Sequence, residues 1–243
     1  MPKSILVFLR LLPLTLLLSG CGLVDFFYLP VPQDTAQELY EAGVDAMNAT
    51  DYYAAVEYFE KLKDRYPFSK YTPKAEIGLG DAYYLAGYYQ DAMDAYVEFE
   101  SMHPRHPEVP YVLFQIGVSG YKTFTSIDRP QLPVAEGLQY LYKLKEGFPD
   151  SKYAPAADDY ILKCRRILAE RELFVADFYL RTDKYGGAWQ RFQFVVDNFA
   201  DIPDVYEYAS RQAEFAYLKH QEHESQEAME ETHGAWNDYF EWL

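Results

Sequence analysis

Small and apolar residues recur along this chain in a long, regular beat. Gly43, Gly80 and Gly117 are spaced by 37 residues. Counting from Gly43, the residues Ala46, Ala55, Phe59, Leu62 and Pro67 follow at offsets 3, 12, 16, 19 and 24. The same offsets from Gly80 reach Tyr83, Ala92, Tyr96, Phe99 and Pro104. Helices that cross closely want glycine or alanine at the contact, with aromatics filling the gaps between turns. Self-similarity at this period predicts stacked repeat units, each packing only on its neighbours. Period-2 alternation of useful length is missing, so the expectation is all-α.

The joints between blocks are written almost in duplicate. "DRYPFSKYTPKA" occupies residues 64–75, "EGFPDSKYAPAA" residues 146–157, and a worn copy, "SMHPRHPEVPYV", residues 101–112. Pro67 and Pro149 cannot continue a helix, because proline lacks the amide and clashes with the preceding turn. Pro73 and Pro155 open the next helix, where the missing N–H costs nothing; Thr72 is expected to cap the first of these. Tyr71 and Tyr153 are expected to pack into the corner. The whole pattern resembles the tetratricopeptide (TPR) repeat, two antiparallel helices per unit closed by a proline. The expected fold is an α-solenoid of about five TPR-like helix pairs over 35–243, with units near 36–69, 73–106, 110–151, 154–202 and 205–243. The third unit carries eight extra residues in "TFTSIDRPQLPV" (123–134), and the fourth opens with a long helix from Ala154 to Arg181. The last pair, from Val205, is degenerate, as a capping unit should be.

The N-terminus belongs to a different kind of segment. Lys3 precedes a mostly apolar run from Ile5 to Leu18, and Ser19-Gly20 leads into Cys21. Residues 1–20 therefore read as a secretory signal peptide. "LSGC" also resembles a bacterial lipobox, which implies an acylated Cys21 as the mature N-terminus. Each buried methylene contributes roughly 0.8 kcal/mol, so several acyl chains anchor firmly. Gly22, rather than an aspartate, points to the outer membrane. Pro30 and Pro32 make residues 21–34 an extended linker. Cys164, left without a disulfide partner, reads as a small core residue.

Charge narrows the function classes. The chain carries 22 basic and 38 acidic side chains, a formal charge of −16. Removal of residues 1–20 takes two cations and no acid, leaving −18. Such a surface repels phosphate backbones, so nucleic acid is excluded as a partner. His220 and His223, and the His103/His106 pair in a joint, fall short of a convergent metal set and read as solvated. The acid pairs Asp158-Asp159 and Glu230-Glu231 point to different sides of a helix. No nucleophile elbow or phosphate loop is present. The expectation is no enzyme activity, no catalytic residue, no metal and no cofactor.

Signal peptide, lipobox, proline-containing linker and about five TPR-like units, in this order, resemble the BamD family of the outer-membrane β-barrel assembly machinery. "RYPFSKY" (65–71) is similar to that family's most recognisable string. The resemblance implies a lipid-anchored protein on the periplasmic face of the outer membrane. It implies as partners unfolded outer-membrane proteins, the barrel-forming assembly subunit and the machinery's other lipoproteins. In TPR arrays the first helix of each pair supplies the inner face. Here that face takes Tyr40, Val44 and Met47, then Lys74, Ile77, Asp81 and Tyr84, then Tyr111, Phe114, Val118, Tyr121 and Lys122; Arg65, Tyr66 and Phe68 join it from the family string. Part of these aromatics pack between helices. The remainder, with Lys74 and Lys122, suit an extended peptide carrying aromatic side chains and a free carboxylate.

At the other end, Trp236, Tyr239, Phe240 and Leu243 share one helical face. That stripe either folds back onto the helix from Val205 to Leu218 or docks the assembly partner. A TPR lipoprotein scaffold of cell-wall or polysaccharide-export machinery is the second class of reading. Exchange of Cys21→Ser is expected to leave the fold intact and release the protein from membranes. Fractionation without detergent checks this, and a variant that stays in the pellet contradicts the anchor.

Overall fold

The computed structural model describes residues 34–240, with side chains described as far as residue 232. These residues form nine α-helices and, among the described residues, no strand. They are α1 (Ala36–Asn48), α2 (Tyr52–Arg65), α3 (Thr72–Ala86), α4 (Tyr89–Met102), α5 (Val109–Lys122), α6 (Leu132–Gly147), α7 (Ala154–Arg181), α8 (Tyr185–Asn198) and α9 (Pro203–Phe240). Each helix packs on the next, and the first helices of successive pairs also meet, α1 with α3, α5 with α7 and α7 with α9. That is a solenoid of TPR type.

Short-range chemistry sets the helix ends. Thr35 and Glu38 form a reciprocal capping box at α1, and the Asp51 carboxylate accepts from the Ala54 amide at α2. Gly87, at φ 85°, closes α3 in the left-handed region that glycine enters without a Cβ penalty. Pro73, Pro110, Pro133 and Pro155 stand in the first turns of α3, α5, α6 and α7. Thr72 is not the cap. It lies inside α3, and its hydroxyl donates to the Tyr66 carbonyl across the corner at 2.5 Å, which ties the two helices together instead.

The duplicated joints have the same geometry. In one, the Ser69 amide donates to Tyr66 O, Thr72 N to Ser69 O and Tyr71 N to Ser69 Oγ. In the other, Ser151 N donates to Phe148 O, Ala154 N to Ser151 O and Tyr153 N to Ser151 Oγ. Lys70 and Lys152 lie over the rings of Tyr71 and Tyr153 at 5.0 and 4.9 Å. In the worn copy a histidine does the serine's work. The Glu108 amide donates to His106 Nδ1 at 3.2 Å, while His106 N and Val109 N repeat the backbone bonds.

Between joints, the 37-residue beat is a contact. A Cβ on Gly43 would lie 2.4 Å from the Phe59 ring, one on Gly80 2.5 Å from Tyr96, and one on Gly117 2.3 Å from Leu141. Gly78 bounds Phe59 from its other side. In the fourth pair, Ala176 and Phe192 keep the 16-residue offset, and both are fully buried. Ala213 stands a further 37 residues on and is buried too. Residues 123–131 form the long connection of the third pair, held by Gln131, which donates to Ser126 O and Arg129 O, and by Arg171, which donates to Ile127 O.

Two helices depart from the plain repeat. α7 has 28 residues, where α5 has 14. Its first half buries Ala157, Cys164 and Ile167 with α5 and α6, and its second half buries Ala169 and Ala176 with α8 and α9. Burial pushes the Cys164 thiol up to about 12, consistent with an inert core side chain. α9 is one continuous helix where a last pair is expected. From Asp204 to His233 it holds no glycine or proline, and ion pairs such as Lys219–Glu222 and Arg211–Glu207 run along it. A continuous helix to Phe240 also rules out folding of residues 236–240 back onto Val205–Leu218.

Paired arginines pin the corner before α9. Arg165 donates through Nε to Asp201 at 2.7 Å and through Nη2 to the Asn198 carbonyl at 2.7 Å, and lies over the Phe199 ring. Arg166 holds Asp204 in the first turn of α9 with two bonds of 2.7 and 2.9 Å. These bonds hold Asp201 below its ordinary value and Asp204 at about 2. Depressed carboxylates contribute stability that is complete above about pH 4 and fades as pH falls towards 2. The double variant Arg165→Met/Arg166→Met is therefore expected to lose less stability than the parent between pH 5 and pH 2.5, measured by urea unfolding at both.

The glycine contacts generate a second expectation. Gly80→Ala drives a methyl into a ring that cannot swing away, at a cost of about 1–3 kcal/mol. Gly147, at the end of α6, faces open space within 4 Å, so Gly147→Ala is expected to be neutral or to stabilise by up to about 1 kcal/mol. Thermal unfolding of the two variants checks the contrast.

Candidate functional site

The inner face opens into a groove between α1 and α3. Tyr40, Val44 and Met47 line one wall, at i, i+4 and i+7. Lys74, Ile77, Gly78 and Asp81 line the other with the same helical spacing, over Phe59 as floor. The concavity holds about 340 Å³. Glycine at 78 leaves the floor uncovered. Tyr40 stacks on Tyr71 of the joint, with centroids 5.5 Å apart, and tilts against Phe59 at 6.3 Å. Lys74 is exposed and makes no ion pair among the described residues.

Asp81 closes the groove with a polar network. Tyr96 and Tyr111 both donate to its Oδ1 at 2.5 Å, and Gln115 donates to the Tyr111 hydroxyl at 2.9 Å. Burial raises the Asp81 carboxyl above its ordinary value, and the two phenol bonds oppose that rise. The phenols of Tyr96 and Tyr111 are pushed up by burial and by the carboxylate they face.

Beyond Asp81 the face continues as a chain of rings. Tyr111 meets Tyr153 at 5.5 Å, Phe114 stacks on Tyr153 at 5.7 Å, and Tyr160 takes Phe114 and Tyr121 edge-on at 5.6 Å each. Lys163 lies 5.0 Å above Tyr160. Tyr84 packs edge-on against Tyr89, and its phenol is raised by burial and then by the neighbouring phenols of Tyr160 and Tyr89. Tyr111, Phe114 and Tyr121 are thus half-buried in each other's company, while Lys122 beside them is exposed.

The structure separates the remaining expected residues. Val118 is core rather than groove, at 3% exposure, although its spacing is that of an inward residue. Arg65, Tyr66 and Phe68 sit on the joint after α2 and do not line the groove. Tyr66 donates to the Asp34 carbonyl at 2.7 Å, Lys61 pairs with the Asp34 carboxylate at 2.8 Å, and Phe68 is wholly exposed. Cys21 and Leu243 lie outside the described residues, as do the side chains of Trp236, Tyr239 and Phe240.

The histidines have local roles. His103 Nε2 meets the buried Glu76 at 2.7 Å. His220 is not fully solvated, since its ring covers Gly186 and approaches Trp189, whereas His223 is exposed. Among the described residues no group of three His, Cys, Asp or Glu could hold a metal, and no helix is long and apolar enough to cross a membrane. Two wider depressions flank α8, one of about 700 Å³ over Tyr179, Lys184 and Arg191, the other of about 530 Å³ over Trp189 and Tyr217. The periodic pattern did not reveal either, because most of their lining side chains lie off the small-residue and ring positions it tracks.

Comparison with known proteins gives consistent matches. The family model YfiO, described as outer membrane lipoprotein, matches residues 32–232. The outer membrane protein assembly factor BamD of Neisseria meningitidis serogroup A is 28% identical over 80% of this chain and 78% of its own. BamD of Vibrio cholerae is 27% identical over 70% of this chain and 75% of its own. BamD of Caulobacter vibrioides is 24% identical over 65% and 52%. Among solved structures, a thermophilic TPR protein of Thermus thermophilus aligns with TM-score 0.40 and 17% identity, over 73% of this chain and 98% of that one.

Proposed function

The chain belongs to the YfiO family of outer membrane lipoproteins, the BamD family, and on that premise we propose that it holds unfolded outer-membrane proteins in the α1–α3 groove during their assembly. The observation that carries this reading is the groove itself. Half-buried rings, a bare glycine floor and an unpaired lysine line the inner face of the first two helix pairs. An extended peptide finds apolar walls for its aromatic side chains and a cation for its carboxylate. Chemistry on the client is not part of the role; the protein binds and positions.

The acyl chains on Cys21 anchor it to the periplasmic face of the outer membrane, and residues 21–34 let the solenoid stand off the bilayer. The C-terminal half, with the Trp236, Tyr239, Phe240 and Leu243 stripe, docks the barrel-forming subunit, and the machinery's other lipoproteins complete the assembly. BamD relatives on both the family and the individual level favour this over a scaffold for cell-wall or polysaccharide export.

Truncation of groove tyrosines tests the client site. Replacing Tyr40 in the groove, together with Tyr84 on the ring chain that continues the same face, with Ala is expected to weaken binding of a C-terminal peptide of an outer-membrane protein by about 2 kcal/mol or more, the scale of interface hot spots. Helicity should change little. Fluorescence anisotropy with a labelled peptide measures the affinity, and equal binding by variant and parent removes the groove from the proposal.

A further inference from the structure

The two charged residues of the groove are set at a fixed separation. Lys74 and Asp81 are seven residues apart on α3, hence on one face and about 10.5 Å apart along the axis. An extended peptide covers that distance in about three residues. Both line the same concavity, with Ile77 and Gly78 between them and Tyr40, Val44 and Met47 opposite.

Asp81 is only half used by the fold. Tyr96 and Tyr111 donate to the same oxygen, Oδ1, and no donor among the described residues reaches Oδ2. Asp81 lines the groove and is half-buried, so this second oxygen is not sealed in the core. A carboxylate fixed by two phenols and free on its second oxygen is a preorganised acceptor. The surroundings add to this, because a chain of net charge −16 favours cations over its surface.

We propose that the groove reads a two-charge signature in its peptide, a free C-terminal carboxylate at Lys74 and a Lys or Arg side chain about three residues upstream at Asp81 Oδ2. This rests on the client groove and names the kind of sequence it selects. Aromatic side chains supply contact area along the walls. The charge pair supplies polarity and register, since a peptide running the other way places its carboxylate against Asp81. A reversed peptide therefore meets like-charge repulsion at both ends.

The experiment uses the lipidated full chain in detergent and labelled octapeptides ending in a free-acid Phe. One carries Lys three residues before the terminus, and its twin carries norleucine there. The parent is expected to bind the Lys peptide about tenfold more tightly, the scale of a charge-assisted contact. Asp81→Asn, which keeps Oδ1 for both phenols, should erase that preference, so that the variant binds the Lys and norleucine peptides equally. Amidating the C-terminus should weaken binding to the parent, and Lys74→Met should remove the effect of amidation. Equal binding of the two peptides by the parent overturns the Asp81 subsite while leaving the client groove standing. Failure of both peptides to bind the parent overturns the groove and the subsite together. The comparison of peptides on the parent decides the matter even if a variant misfolds.

Discussion

Each helix pair is locked by a bulky side chain pressed against a residue that has no side chain in its way. Phe59 fills the space between Gly43 and Gly78, Tyr96 lies on Gly80 and Leu141 on Gly117, while in the fourth pair Phe192 shares a core cluster with the small Ala176. Burying such a side chain is worth roughly 1.5–3 kcal/mol, but the larger consequence is geometric. The ring sets how near two helices come, and therefore how the next pair is angled onto them. The groove depends on the same contact twice. Gly78 serves Phe59 from behind while leaving the groove floor bare, and Tyr96 reaches Asp81 because Gly80 lets it approach.

Much of this could be read from residue order. The 37-residue beat located the ring contacts, and the proline pairs located the joints. The inward spacing on α1 and α3 gathered Tyr40, Val44, Met47, Lys74 and Ile77 into one concavity. Local rules suffice there, because a helix face follows from spacing and a helix end from proline. Val118 shows the limit. Its spacing is that of an inward residue, but whether a side chain lines a groove or enters the core depends on how far the neighbouring helix leans over it.

Long-range pairing was less legible. Nothing around Asp81 announced that two tyrosines, 15 and 30 residues later, would converge on one of its oxygens. The Arg165 and Arg166 pairs, with partners 36 and 38 residues away, were equally silent. The end of the chain misled for a different reason. A repeat reading expects a turn in every unit, yet residues 204–233 offer no breaker and many helix-favouring ion pairs, so α9 simply continues. Local preference won where no following unit rewarded a turn.

The doubled length of α7 has a mechanical meaning. In α3 and α5 the small contact residue follows the opening proline by seven positions, whereas in α7 Ala176 follows Pro155 by 21. The surplus is two heptads, about 21 Å of helix, with a phase drift of only about 40°. One rigid strut thus carries two separate docking windows, Ala157 and Cys164 for the first and Ala169 and Ala176 for the second, turned by about 100–140° from one another around its axis. Its length behaves like a ratchet: a change of seven residues would respace the halves while nearly keeping the angle between the windows, and a change of two would turn one of them out to solvent. Distance between the α1–α3 groove and the far end of the solenoid is therefore a quantised property of this one helix.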